Sequence, residues 1–172
     1  QTQGDEHFQP VNHMGVPQSK ARAFYQKMYE EDPDGPLAAA ALLNWSRALG
    51  TEGKTTAALQ QLQELQKKFP HSEELPAALF LQGFYYGSQK PPRYDKAIEL
   101  FDLVVKEHPQ SKEAPEALWH GAFFLAWNNR FPAALERMQK LDAAYPDSPR
   151  HQWAAPWIAR FQEKIKSGGQ WP

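Results

Sequence analysis

FPHSEELPAAL, residues 69–79, returns as HPQSKEAPEAL at residues 108–118 and as YPDSPRHQWA at residues 145–154. A shorter version, DPDG, stands at residues 32–35. The prolines inside these turns are Pro33, Pro70, Pro109 and Pro146, in steps of 37, 39 and 37 residues. A fixed period of this size marks stacked helical repeats, because each unit cannot bury its apolar face alone and must pack on its neighbour. The period speaks to architecture and, through the surface such a stack presents, to binding.

The register holds along the chain. Thirteen residues after each proline comes a small side chain: Ser46, Gly83, Ala122 and Ala159. Nine residues after it come Leu42, Leu79, Leu118 and Ala155. Ahead of the next proline stand Ala58, Ala97 and Ala134, then Leu62, Phe101 and Met138, then Leu65, Val104 and Leu141. That spacing traces one face of an α-helix. Two extra residues are needed in the second repeat, and GSQKPPRYD (residues 87–95) holds them.

Ser72, Ser111 and Ser148 are expected to cap helix N-termini, since a serine hydroxyl accepts from orphan backbone N–H groups; Asp34 is expected to cap the first. Pro76, Pro115 and Pro149 then fall in first turns, where a missing N–H costs nothing. The predicted helices are 18–31, 36–49, 54–68, 73–87, 93–107, 112–128, 131–144 and 149–166. Ala21, Tyr25 and Met28 carry the second-helix pattern with no first helix before it. The helix opened by Ser148 reads as a solitary cap on the stack. Residues 1–17 read as a flexible leader, 18–166 as the repeat domain and 167–172 as an irregular tail. Trp171 in that tail is expected either exposed or docked back on the last helix.

This pattern resembles the tetratricopeptide repeat, a pair of antiparallel helices closed by a proline. The small residues of the first helices (Ser46, Gly83, Ala122), the alanines facing them (Ala58, Ala97, Ala134) and Pro70, Pro109 and Pro146 carry the resemblance. Close helix crossing explains it, because only small side chains fit at such a contact. Trp45, Gln82 and Gly121 depart from the family, which favours Leu there. The fold implied is an all-α, right-handed α-solenoid of about eight helices.

Composition narrows function. The chain has 172 residues, net charge −1 and interspersed acids and bases, which argues against nucleic acid, a ligand that wants a basic stripe. No apolar run approaches the 18 or so residues of a membrane span. Cysteine is absent, so there is no disulfide frame and no thiolate chemistry. GTEGKTT (residues 50–56) is too short between its glycines for a phosphate loop and lacks a preceding strand; it reads as a turn. The six histidines, among them His7, His13, His71, His108, His120 and His151, show no helical metal-site spacing. No carboxylate pair is singled out as catalytic, and no cofactor or metal is expected.

What the resemblance implies about binding lies on the inner face of the first helices. Inward positions there hold Leu43, Phe80 and Trp119, then Arg47, Phe84 and Phe123, then Trp127, with Trp157 and Arg160 added by the last helix. The bland reading is packing between helices; the functional one is a strip of aromatic anchors with a basic flank, since large rigid rings dominate binding hot spots. Carboxylate-clamp members of the family hold Lys and Asn at these positions, so a clamp for an acidic C-terminus is not expected. The proline-turn sequences also look like bacterial envelope members, of the outer-membrane β-barrel assembly lipoprotein and Tol–Pal-associated coordinator type. The expectation is a non-catalytic scaffold for a protein or peptide partner, periplasmic or associated with the outer membrane, with a cytoplasmic site the alternative location. Peripheral association through a lost lipid anchor stays open. The alternative function is the accessory repeat region of a larger envelope enzyme or of a secretion or assembly apparatus.

Overall fold

The computed structural model describes residues 18–171; the leader expected over 1–17, with His7 and His13, and Pro172 lie outside them. The described chain is all-α, built of antiparallel helix pairs in the manner of an α-solenoid, with no strand among the described residues. Its helices are α1 (Gln18–Glu31), α2 (Ala38–Thr51), α3 (Thr55–Lys68), α4 (Leu75–Ser88), α5 (Tyr94–Glu107), α6 (Glu113–Trp127), α7 (Phe131–Ala144) and α8 (Ala154–Ser167). A 3₁₀ turn at His151–Trp153 precedes α8. The chain forms two compact units, one ending at Glu74 and one beginning at Leu75.

In the first unit α2 packs against both α1 and α3. The seam is the one the register predicts: Ala58, Leu62 and Leu65 of α3 and Leu42 and Ser46 of α2 are all fully buried. Ser46 is polar, but its Oγ donates to the Ala58 carbonyl at 3.0 Å. A buried hydroxyl so paired avoids the cost of an unsatisfied group. GTEGKTT is the α2–α3 turn, with Gly53 at φ +74°, a conformation open to glycine at no steric cost.

In the second unit each helix from α4 to α8 packs on the next, and α4 also meets α6. Ala97, Phe101 and Val104 of α5, and Ala134, Met138 and Leu141 of α7, form its buried seams. The crossing of α4 and α5 is tight enough to exclude a methyl group. A Cβ on Gly83 would lie 2.6 and 2.8 Å from the Phe101 ring and 3.1 Å from the Ala97 carbonyl oxygen. Polar groups one repeat apart also meet: Tyr145 Oη donates to the Pro109 carbonyl at 3.0 Å, and Arg137 Nη2 donates to both Asp102 carboxylate oxygens at 2.7 and 2.8 Å. The repeat period is therefore written in contacts as well as in sequence.

Helix beginnings correct the sequence reading. Ser72 and Ser111 cap nothing: their hydroxyls are buried without a partner. Their backbone N–H groups instead close proline turns, onto Phe69 O at 3.1 Å and His108 O at 3.0 Å. With proline second in the turn this is ordinary β-turn chemistry, and α4 and α6 start later, at Leu75 and Glu113. Pro76 and Pro115 do sit in first turns. Only Ser148 uses its hydroxyl locally, accepting from the Arg150 N–H at 3.2 Å. Asp34 does not cap α2 but pairs with Lys68 Nζ at 2.8 Å. The last helix departs most. The 3₁₀ turn takes up the residues that would have opened it, so α8 begins at Ala154 and Pro149 lies outside it. Ala155 and Ala159 are consequently exposed, while Ala154 and Phe161, two turns apart, are fully buried.

Candidate functional site

Most of the aromatic residues singled out in the sequence belong to the second unit. Phe80 and Phe84 come from α4, Trp119, Phe123 and Trp127 from α6, and Trp157 and Arg160 from α8. The turn-to-turn spacing of α4 and α6 explains why: residues three and four apart stand on one face of a helix.

The rings fall into two adjoining groups. Phe80 and Phe84 flank His120, at centroid distances of 5.6 and 5.5 Å. Phe80 also packs on buried Phe101 at 5.5 Å, so it is half core. The second group centres on Phe123, which lies 4.7 Å from Trp157 in a T-shaped contact, 5.0 Å from Trp119 and 6.4 Å from Trp127. Such distances and tilts are favourable for aromatic pairs. Of these residues Phe84 at 36% and Trp127 at 45% keep the most ring surface open. Trp119 is roofed by the Arg150 guanidinium, 5.1 Å from its ring, and Arg160 covers Trp157 at 5.1 Å. Both are cation–π placements. The rings thus divide between packing and presentation: Phe80 and Phe123 do the first, Phe84 and Trp127 the second.

Leu43 and Arg47 belong to the first unit. Leu43 is 6% exposed: it is core, because α2 buries the greater part of its circumference between α1 and α3. Arg47 is exposed, and its Nη1 donates to Asn44 Oδ1 at 3.2 Å.

An ion network braces the aromatic group from below. Arg150 Nε and Nη2 bind the Glu116 carboxylate at 2.9, 3.1 and 3.0 Å, and His120 Nε2 stands 3.6 Å from it. His120 and the Arg150 fork hold the Glu116 carboxyl down to about 2, against a partial burial that alone would raise it. The fork is the shorter and better-aligned contact, of the bidentate kind that orders both partners. The network orients Trp119 through Arg150 and His120 against Phe84. A cleft of about 630 Å³ adjoins this network at Glu116, among Pro109, Pro115, Lys140, Tyr145 and Pro149, and none of the groove rings lines it.

Of the two placements the sequence left open for Trp171, the structure takes the docked one; Asn129 is the participant that sequence reading missed. Trp171 folds back so that its ring stacks on Trp157 at 5.9 Å and 25°. Asn129, in the α6–α7 turn, accepts the Trp171 backbone N–H on Oδ1 at 2.8 Å. Asn129 has φ +58°, a left-handed conformation that Asn tolerates among the few non-glycine residues. The Asn128–Asn129 pair after α6 was the available signal for that turn. Among the described residues no three His, Asp or Glu side chains gather in a metal-holding geometry, and no helix is long and apolar enough to cross a membrane.

Residues 40–72 and 77–111 match the family model of the tetratricopeptide repeat; they span the α2–α3 and α4–α5 pairs, one in each unit. No curated protein matches the chain. Among solved structures, it resembles a tetratricopeptide repeat protein from Parabacteroides merdae, 17% identical with a TM-score of 0.68. That match covers 87% of this chain and 56% of the other, so the chain spans little more than half of that protein. It also resembles MamA from Desulfovibrio magneticus, 17% identical, TM-score 0.61, covering 88% of this chain and 87% of that one. A further MamA structure is 14% identical with a TM-score of 0.62 over 88% and 91% of the two chains. At such identities the likeness shows the fold alone. The helix-pair repeat is thus supported by both the family match and the neighbours.

Proposed function

We infer, from the tetratricopeptide repeats at residues 40–72 and 77–111, that the chain is a non-catalytic scaffold holding a protein or peptide partner in the bacterial cell envelope. The partner lies on the aromatic face of α4, α6 and α8. The observation that carries this reading is the open ring surface of Phe84 and Trp127 beside rings held rigid by their neighbours. A rigid, partly buried ring loses little side-chain freedom on binding, so more of its apolar contact survives as affinity. Phe80, Trp119, Phe123 and Trp157 supply the wall, and Arg160 supplies a cation for an acidic group beside the bound segment. Leu43 has no part in it, being core. The envelope placement draws on the proline-turn resemblance, and recovery of the protein in the cytosolic fraction of its host would overturn it.

The double substitution Phe84→Ala with Trp127→Ala tests the binding face. Both rings are surface rings, so helix content by circular dichroism should stay at the wild-type level. Capture of the partner from envelope extract, read by quantitative mass spectrometry against the wild type, should fall at least about tenfold, the loss of roughly 1.4 kcal/mol or more expected of two anchor rings. Undiminished capture by the double variant would place binding on another face.

A further inference from the structure

The aromatic face of the second unit already carries an occupant, and it comes from the chain itself. α8 ends at Ser167, and Gly168 after it, at φ +63°, turns the backbone back. The following residues are held by main-chain contacts at two points. Lys164 Nζ donates to the Gln170 carbonyl at 2.7 Å, and the Trp171 N–H donates to Asn129 Oδ1 at 2.8 Å. The Trp171 ring then enters a ring of partners. Trp157 stacks on it at 5.9 Å, Phe123 meets it edge-on at 6.3 Å and Phe131 lies at 6.4 Å. The Arg160 guanidinium sits 5.7 Å from the same ring.

These contacts describe a recognition site. It grips one aromatic side chain by stacking and by a cation, and grips the backbone beside it through one acceptor and one donor. The flanking residues Gly168, Gly169 and Gln170 put no side-chain hydrogen bond into the site, although a Cβ on Gly169 would come within 3.2 Å of the flexible Lys164 side chain. No covalent bond fixes the segment, since the chain has no cysteine, and two consecutive glycines give it a hinge of high backbone freedom. An occupant held this way is replaceable by any extended segment that offers an aromatic ring and the same two backbone groups.

We propose that residues 168–171 act as a built-in stand-in ligand. The site formed by Asn129, Phe123, Trp157 and Arg160 receives an aromatic residue in an extended segment of a protein partner, and Trp171 occupies it until displaced. The proposal rests on the scaffold reading above and adds its regulation. A tethered competitor acts at an effective concentration in the millimolar range for a short flexible link. It therefore lowers the apparent affinity of the partner by the fraction of time the site is closed, and only a partner that binds the open site well gets in.

The test uses a fluorescein-labelled peptide of the tail sequence, SGGQW with blocked ends, and reads anisotropy. It should bind the Trp171→Ala chain saturably and at least about tenfold more tightly than the wild type, whose site is filled. Trp171→Phe, which restores a ring in cis, should bring peptide affinity back toward the wild-type value. Adding Trp157→Ala or Asn129→Ala to Trp171→Ala should weaken the peptide again, and a peptide with Ala in place of Trp should not bind. Equal peptide affinity for the wild type and Trp171→Ala, or no saturable binding to either, overturns the proposal. Partner capture that still depends on Phe84 and Trp127 in that event leaves the scaffold reading standing, with the tail as a brace. A concentration-dependent dimer of the wild type that is lost in Trp171→Ala would overturn the assignment within one chain in favour of exchange between two.

Discussion

Gly83 and Phe101 show how the repeat is tuned one residue at a time. Three equivalent crossings carry different pairs of side chains: Ser46 with Leu62, Gly83 with Phe101, Ala122 with Met138. Where the second-helix residue is largest the first-helix residue is smallest, so total volume at the crossing is roughly kept, as close-packed interiors require. Phe101 is 1% exposed and Ala97 fully buried, which leaves no room to relax. Gly83→Ala should therefore cost about 1–3 kcal/mol by overpacking, and Phe101→Ala about 3–5 kcal/mol by leaving a cavity. The informative case is the pair. Phe101→Leu alone should destabilise, but combined with Gly83→Ala it recreates the Ala-and-smaller-residue arrangement of the third repeat. Urea unfolding of the four chains should give a double variant more stable than the sum of the two single losses predicts, by about 0.5–3 kcal/mol of coupling. Strict additivity would mean that the two residues do not share one space.

Helix interiors were legible in the sequence, and helix ends much less so. The buried faces of α3, α5 and α7 fall on the residues that the proline count picks out, because a 3.6-residue period repeated three times leaves little freedom of register. Ser72 and Ser111 misled because serine serves turns and caps through similar local chemistry; the same spacing from proline fits both. Of the site, the aromatic residues of α4 and α6 could be named from periodicity. Trp171 and Asn129 could not be paired, since a contact across 42 residues leaves no periodic trace. Nor could the brace from α6 to the turn ahead of α8 be read, because Glu116 and Arg150 belong to different repeats, 34 residues apart. That brace makes an element-scale prediction. The Glu116 carboxyl lies at about 2, below its ordinary 4.5. A group whose folded value is depressed contributes stability above its unfolded value and loses it as pH falls toward the folded one. The stability gap between the wild type and Glu116→Gln should thus be full at pH 5–7 and shrink between about pH 4.5 and 2. With the Glu116 side chain 31% exposed, solvent screening holds the gap to about 1–2 kcal/mol. Urea midpoints at pH 7, 4 and 2.5 measure it, and a gap that does not change with pH would mean that the ion pairing adds nothing to folding.

Repeat architectures distribute stability along the chain, because each helix pair touches only its neighbours and total stability is close to a sum of local terms. Here helices adjacent in sequence pack together within each unit, so local damage should stay local. Leu62→Ala empties a fully buried position of α3 and Met138→Ala one of α7. Each should cost about 2–5 kcal/mol where it falls. Native-state hydrogen exchange resolves where that is, since amides report the free energy of the opening that exposes them. Leu62→Ala should speed exchange chiefly in α1–α3, and Met138→Ala chiefly in α6–α8. The aromatic face gives the second variant a functional consequence. α7 supplies none of the rings named from the sequence, though its Phe131 meets Trp171 at 6.4 Å, and α6 and α8, which present Phe123, Trp127 and Trp157, both pack on it. Loosening α7 should therefore let these rings drift from their mutual distances and weaken partner capture, whereas Leu62→Ala should leave the geometry of the α6–α8 rings intact. Uniform acceleration of exchange from α1 through α8 by either variant would instead show one all-or-none transition, and stability could then no longer be assigned repeat by repeat.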